Sequence, residues 1–217
     1  MAPANTPWTV HGAPASGSIA IDAALTLLGT PYKLIDGATW ADSAARERVA
    51  PLNPLRQITT VVLPGGEAMT ESAAILIHLA DLHPEARLAP GLADPRRARY
   101  LRWMVYVSSA ICSLHWIKPD VGRIGVPPAA RDGVVHAVHE RIALCWTHMD
   151  GQLSPGTYLL GDELTVLDLY VTVVSRFGPW RQRFCEVAPR MAPVVQRVDN
   201  EPRLQAFWRD RFPLDGQ

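Results

Sequence analysis

Cysteine is scarce in this chain. Cys112, Cys145 and Cys185 are widely spaced, odd in number and never in a CxxC pair. That pattern excludes a disulfide framework and a cysteine-based zinc site, and no metal is expected. Each cysteine sits among apolar residues, so buried thiols in a reducing cytoplasm are expected. An excess charge of one sign is missing too: 21 Lys and Arg balance 21 Asp and Glu. This removes the global electrostatic argument for nucleic acid and for an anionic membrane surface. No apolar run reaches the length of a membrane span. The stretch Met1 to Pro7 has neither the basic nor the apolar part of a signal peptide, so a cytoplasmic protein is expected. Internal repeats and low-complexity tracts are absent. What remains is 217 residues, 48% of them apolar. That argues against disorder and suffices for one large domain or two small ones.

The pattern changes character near residues 83 to 95. Before it, short apolar runs alternate with helical spacing. Trp8 to His11, Tyr32 to Ile35, Ile58 to Leu63 and Glu67 to Met69 read as strands. Ile19 to Leu28, Ser43 to Val49 and Ala73 to Leu82 read as helices. The order β-α-β-α-β-β-α predicts an α/β unit with a small mixed sheet. The stretch from His83-Pro84 to Asp94-Pro95 is rich in Pro, Gly and Ala and reads as a linker. Beyond it the chain is helical: Arg96 to Trp116, Ala129 to Leu153, Thr165 to Phe177, Ala188 to Val198 and Glu201 to Arg209. Thr165 to Phe177 is apolar almost all round and should be a central, buried helix.

Two helix starts carry an acid and a hydroxyl. In Gly161-Asp162-Glu163-Leu164-Thr165-Val166-Leu167-Asp168, Thr165 and Asp168 have capping-box spacing. Such a cap is worth about 0.5–2 kcal/mol, and its role is structural. Glu71-Ser72 opens the helix beginning near Ala73, just after the turn Pro64-Gly65-Gly66. Either residue can act as a cap. Alternatively, the free amides and dipole of that helix start bind a carboxylate, with the Ser72 hydroxyl as a further donor and Glu71 facing an ammonium. An amino-acid end carries both charges.

The stretch "NPLRQITTVVLPGGEAMTESAAILIHLAD" resembles the glutathione-binding half of the glutathione transferases. Asn53-Pro54, Ile58, Leu63-Pro64, Gly66, Glu71-Ser72 and Ile75 stand in matching places. "GDELTVLDLYV" and the closing "APVVQRVDNEPRLQAFW" resemble the all-helical second domain of that family, so the resemblance covers essentially the whole chain. It implies a thioredoxin-like domain over residues 1–83, a linker over 84–93 and an all-α domain over 94–217. It implies glutathione as co-substrate, a hydrophobic electrophile as second substrate, detoxification chemistry in the cytoplasm and a homodimer. By the same resemblance, Ser72 takes the γ-glutamyl carboxylate and Glu71 faces its ammonium. The Ile58 backbone pairs with the cysteinyl part like an added strand, with Gln57 beside it.

Thr59 departs from the family, which carries a cis-proline there. A cis bond costs about 0.5–1 kcal/mol before proline and about 2.5–4 before other residues. We therefore expect Ile58-Thr59 to be trans, with an altered cysteinyl contact and weak affinity. The thiol must be activated, because a free thiol has a pKa of about 8.5, and a hydroxyl donor at the sulfur lowers it. "HGAPASGSIAIDAALTLLG" holds neither tyrosine nor cysteine. Ser16 is the first candidate and Ser18 the second; either can instead cap the helix from Ile19. His11 is expected to have no chemical role. The acceptor pocket is expected between the domains along the long helix, at Trp103, Tyr106, Ser109, Ala110 and Ser113, with Cys112 close by; Arg102 or His115 are candidates to polarise an acceptor. The alternatives are a non-catalytic interaction protein of this fold, or a glutathione-dependent peroxidase or isomerase.

Overall fold

The computed structural model describes residues 7–40 and 43–212. The expectation for Met1 to Pro7 lies almost wholly outside those residues, as do the outer ends of the two predicted domains. The chain divides into two compact units.

The first unit contains β1 (Trp8–Gly12), α1 (Ile19–Leu27), β2 (Tyr32–Asp36), α2 (Ser43–Val49), β3 (Thr60–Val62), β4 (Ala68–Thr70) and α3 (Ser72–Leu82). Its four strands lie in the order β2-β1-β3-β4. β1 and β2 are parallel, while β3 is antiparallel to both β1 and β4. This is the small mixed sheet read from the sequence. Val10 and Val61 are register partners and fully buried. The apolar faces of α1 and α3, including Ile21, Leu25, Ile75 and Leu79, supply the rest of the core. Turn chemistry sets the corners. Gly29 ends α1 at a φ of 61°, a conformation open to glycine at little cost. Gly66, at φ 89°, closes the β3–β4 hairpin, where the Gly66 amide donates to the Leu63 carbonyl at 2.8 Å.

The second unit holds α4 (Arg97–Tyr106), a π-helical stretch Val107–Cys112, α5 (Ser113–His115), α6 (Arg131–Gln152), α7 (Val166–Val174), α8 (Trp180–Val187) and most of α9 (Ala192–Asp199). Every residue of α7 is buried. Its start is the expected capping box. The Thr165 amide and hydroxyl each donate to Asp168 Oδ2 at 2.8 Å, and the Leu159 amide donates to Oδ1 at 2.8 Å. Burial pushes the Asp168 carboxyl up to about 6, against the hydrogen bonds that favour its ionised form.

Four expectations need correction. The long helix predicted over Arg96 to Trp116 is not uniformly α-helical. The wider π turn lets the Ala110 carbonyl accept from Cys145 Sγ at 3.6 Å, while Ser109 and Ser113 back-bond to the carbonyls of Val105 and Ser109. Helix α8 lies between the predicted helices Thr165 to Phe177 and Ala188 to Val198, where none was expected, and Pro179 stands at its start. The thiols are free, but only Cys145 is buried; Cys112 and Cys185 are half-buried. Finally, the residues from Asp199 onward group with the first unit, not the second. The turn Pro202–Leu204 and α10 (Gln205–Arg211) pack on α1. Arg211 Nη2 there donates to the buried Asp22 carboxylate at 2.7 Å.

Candidate functional site

Strand direction brings three separated segments to one edge of the first unit's sheet. His11, near the end of β1, pairs with Thr60, the first residue of β3. Thr60 in turn pairs with Thr70, the last residue of β4. The loop after β1 (Ala13 to Ser18), the Gln57-Ile58-Thr59 approach to β3 and the Glu71-Ser72 start of α3 therefore leave the sheet together.

The loop after β1 is a compact hydroxyl cluster. Ser16 Oγ donates to the Ala13 carbonyl at 2.7 Å and lies 2.9 Å from Ser18 Oγ. The amides of Ala13 and Ser18 point at the same oxygen, at 3.4 and 3.3 Å. Ser18 is fully buried, whereas Ser16 keeps 7% of its surface. Gly12 makes this possible: a Cβ there would stand 2.3 Å from Ser18 Oγ. Neither serine plays the simple capping role. Ser18 occupies the N-cap of α1 but makes no side-chain cap bond. Of the two candidates, only Ser16 keeps any exposed surface. His11 is buried and held below its ordinary pKa by burial and then by Arg48.

The Ile58-Thr59 bond is cis, which overturns the trans expectation. The surrounding hydrogen bonds hold the approach to this bond. The Gln57 carbonyl is turned back to accept from Thr60 Oγ1 at 2.9 Å and from Asn53 Nδ2 at 3.0 Å. Asn53 Oδ1 meanwhile accepts from the Leu55 amide at 3.0 Å. A polar asparagine–threonine clamp frames this segment. Gln57, Ile58 and Thr59 are half-buried and stand ahead of the strand, which begins at Thr60 and not at Ile58.

Glu71 is the N-cap of α3, yet its side chain makes no capping bond and is exposed. Its backbone has φ 67° and ψ 98°, a sparsely populated conformation for a residue with a Cβ that costs on the order of 1–3 kcal/mol. Ser72, half-buried, is the first helical residue. The corner thus offers a helix start with a carboxylate held beside it.

In the second unit, Trp103 is 1% exposed and stacks edge-on with Tyr106 at 5.2 Å between ring centres. It is a core residue, which leaves it little surface for an acceptor. Tyr106 and Ala110 are half-buried, and Ser109 and Ser113 are exposed. Tyr106 donates to the Cys145 carbonyl at 3.1 Å, so that hydroxyl already has a partner. Burial pushes the Cys112 thiol up to about 12, against a hydrogen bond donated by the Tyr170 hydroxyl at 3.3 Å. Arg102 stacks over Trp103. Among the described residues no group of His, Cys, Asp and Glu could hold a metal ion, and no helix is long and apolar enough to cross a membrane.

No protein-family model matches the chain. Individual proteins do. The chain is 29% identical over 197 residues to the uncharacterized GST-like protein YncG of Escherichia coli K12, covering 90% of this chain and 94% of that one. It is 23% identical to the glutathione S-transferase GstA of Escherichia coli O157:H7, over 71% of this chain and 73% of that one. Among solved structures, a glutathione transferase homolog from Sulfitobacter with bound glutathione superposes with a TM-score of 0.82 at 21% identity, covering 95% of this chain and 99% of that one. The architecture is therefore the glutathione transferase fold, a thioredoxin-like sheet domain followed by a helical domain.

Proposed function

We propose that this chain is a glutathione transferase that activates its thiol with a serine hydroxyl. The relatives and the shared fold support membership of that superfamily. The observation that carries the site is the meeting of three segments at one sheet edge: the Ser16 loop, Ile58-Thr59 and Glu71-Ser72.

Each segment has a role that its chemistry suits. The start of α3 and Ser72 take the γ-glutamyl carboxylate, because the amides of a helix's first turn and the helix dipole favour an anion there. Glu71 faces the ammonium. The backbone of Ile58, beside Gln57 and ahead of β3, offers strand-like hydrogen bonds to the cysteinyl residue. The Ser16 hydroxyl turns from the Ala13 carbonyl to the sulfur and donates to it. Ser16 Oγ then accepts from Ser18, 2.9 Å away, and from the Ala13 and Ser18 amides. Donation into an oxygen strengthens its own outgoing hydrogen bond. The thiolate is thereby favoured over the thiol and attacks an apolar electrophile.

On the second unit we assign the acceptor to the accessible parts of Tyr106, Ser109, Ala110 and Ser113. A homodimer fits the exposed apolar pair Leu101 and Val105, one turn apart on α4 and 36% and 57% exposed. A cytoplasmic setting fits the three free thiols.

The test is an ultraviolet titration of protein-bound glutathione against pH. A thiol pKa well below about 8.5, restored toward that value by Ser16→Ala with binding kept, is the expected result. Tight binding with no shift in either protein would reject thiol activation. Absence of glutathione binding would reject the enzyme altogether.

A further inference from the structure

We infer that the second unit carries its own anion site, built on Lys118, His139 and His115 beside Gly178, and that it takes a small carboxylate. Lys118 follows α5 and is half-buried. Its ammonium donates to the Gly178 carbonyl at 2.8 Å. An ammonium has three N–H donors, so two remain. Gly178 has no side chain, and the two head groups crowd the face where one would stand. A Cβ there would stand 3.0 Å from Lys118 Nζ and 3.3 Å from His139 Nε2.

His115 lies one turn before Lys118, its ring edge-on to Phe177 at 5.3 Å. Both of its ring nitrogens are buried without a hydrogen-bond partner. An imidazole always presents at least one N–H, and a buried donor left unpaired is costly. Among the described residues the cluster thus holds several donors and a cation, and Glu140 is the carboxylate that acts on it. Burial alone lowers Lys118, to about 8, with no nearby carboxylate opposing it. His115 is pushed down to about 3, by burial first and then by Lys118 and His139. His139 is lowered by burial, Lys118 and His136, opposed by Glu140. Glu140 itself faces Arg183 of α8 at 3.9 Å, and Arg183 also pairs with Glu186.

A carboxylate suits the Lys118 and His139 head groups. It only accepts, and its two oxygens can span the Lys118 ammonium and the His139 Nε2–H. At neutral pH Lys118 is mostly charged and His115 is neutral. Benzoate, a small carboxylate, is a suitable probe.

The experiment is a benzoate titration of the full chain, read from the histidine ring and lysine ε-methylene NMR signals. Saturable binding that shifts His139 and Lys118 and raises the Lys118 pKa is expected. Affinity should fall about tenfold from pH 7 to pH 9, as the free ammonium is lost. Lys118→Met should weaken binding at least tenfold. Gly178→Ala should do the same with the charge intact, which keeps the test decisive if the first variant folds poorly. Glutathione affinity, measured in parallel, should be unchanged in both, so failure here is distinguishable from failure of the transferase reading. Shifts that never saturate, or equal benzoate affinity in wild type and both variants, would overturn the site.

Discussion

Two helix starts in this molecule hold the same ingredients and use them in opposite ways. At α7, Asp168 and Thr165 turn inward. The carboxylate takes two amides and a hydroxyl, and both residues are buried. At α3, Glu71 and Ser72 stand in matching chemical roles, yet the Glu71 side chain makes no capping bond and stays in solvent, on a left-handed backbone. The first corner uses its carboxylate for stability. The second leaves its acid free at a strained position, which is where binding groups concentrate. An acid and a hydroxyl at a helix start are thus not a function by themselves; burial of the carboxylate decides which one they serve.

Substitution should separate the two corners. The largest effect is expected at the buried one. Asp168→Ala leaves three buried donors without an acceptor and should cost about 3–5 kcal/mol of stability by denaturant unfolding, enough to threaten folding. A loss below about 1 kcal/mol would mean the capping box is ornamental. Next comes Ser16→Ala, expected to lower kcat about a hundredfold while glutathione affinity stays within about twofold, the mark of a contact made to the reacting atom. Equal losses in Ser16→Ala and Ser18→Ala would instead mean that the hydroxyl pair acts as a unit. Glu71→Ala should weaken glutathione binding about tenfold or more, seen by calorimetry, and change stability by less than about 0.5 kcal/mol, as for surface sites generally. The smallest effect is the most pointed: Glu71→Gly should raise stability by about 1 kcal/mol, since glycine adopts positive φ without strain, and still lose binding. A thermal midpoint that falls in that variant would place Glu71 among the structural caps.

Legibility followed sequence distance. The capping box was readable because its partners are three residues apart on one helix turn, and Glu71-Ser72 because the two residues are adjacent. The hairpin turn at Gly66 was readable for the same reason. Helix α8 and the π-helical stretch were not, since a proline at a helix start and a local widening of a helix leave no periodicity to find. The trans expectation at Ile58-Thr59 failed because it weighed the local bond and not the Asn53–Thr60 clamp on Gln57 that frames it.

By itself the sequence determined the mixed α/β beginning, the helical remainder, the two capped helix starts and the residue types available for chemistry. These are consequences of spacing and side-chain type within a few residues. Tertiary structure alone decided that Ser16 keeps surface while Ser18 has none, that three segments share one sheet edge, and that the end of the chain returns to the first unit. Arg211 reaches Asp22 across 189 positions of sequence. Lys118, His139 and Gly178 likewise converge from three elements. Register, burial and ion pairing between distant segments depend on where the chain packs, and no local pattern of residues carries that information.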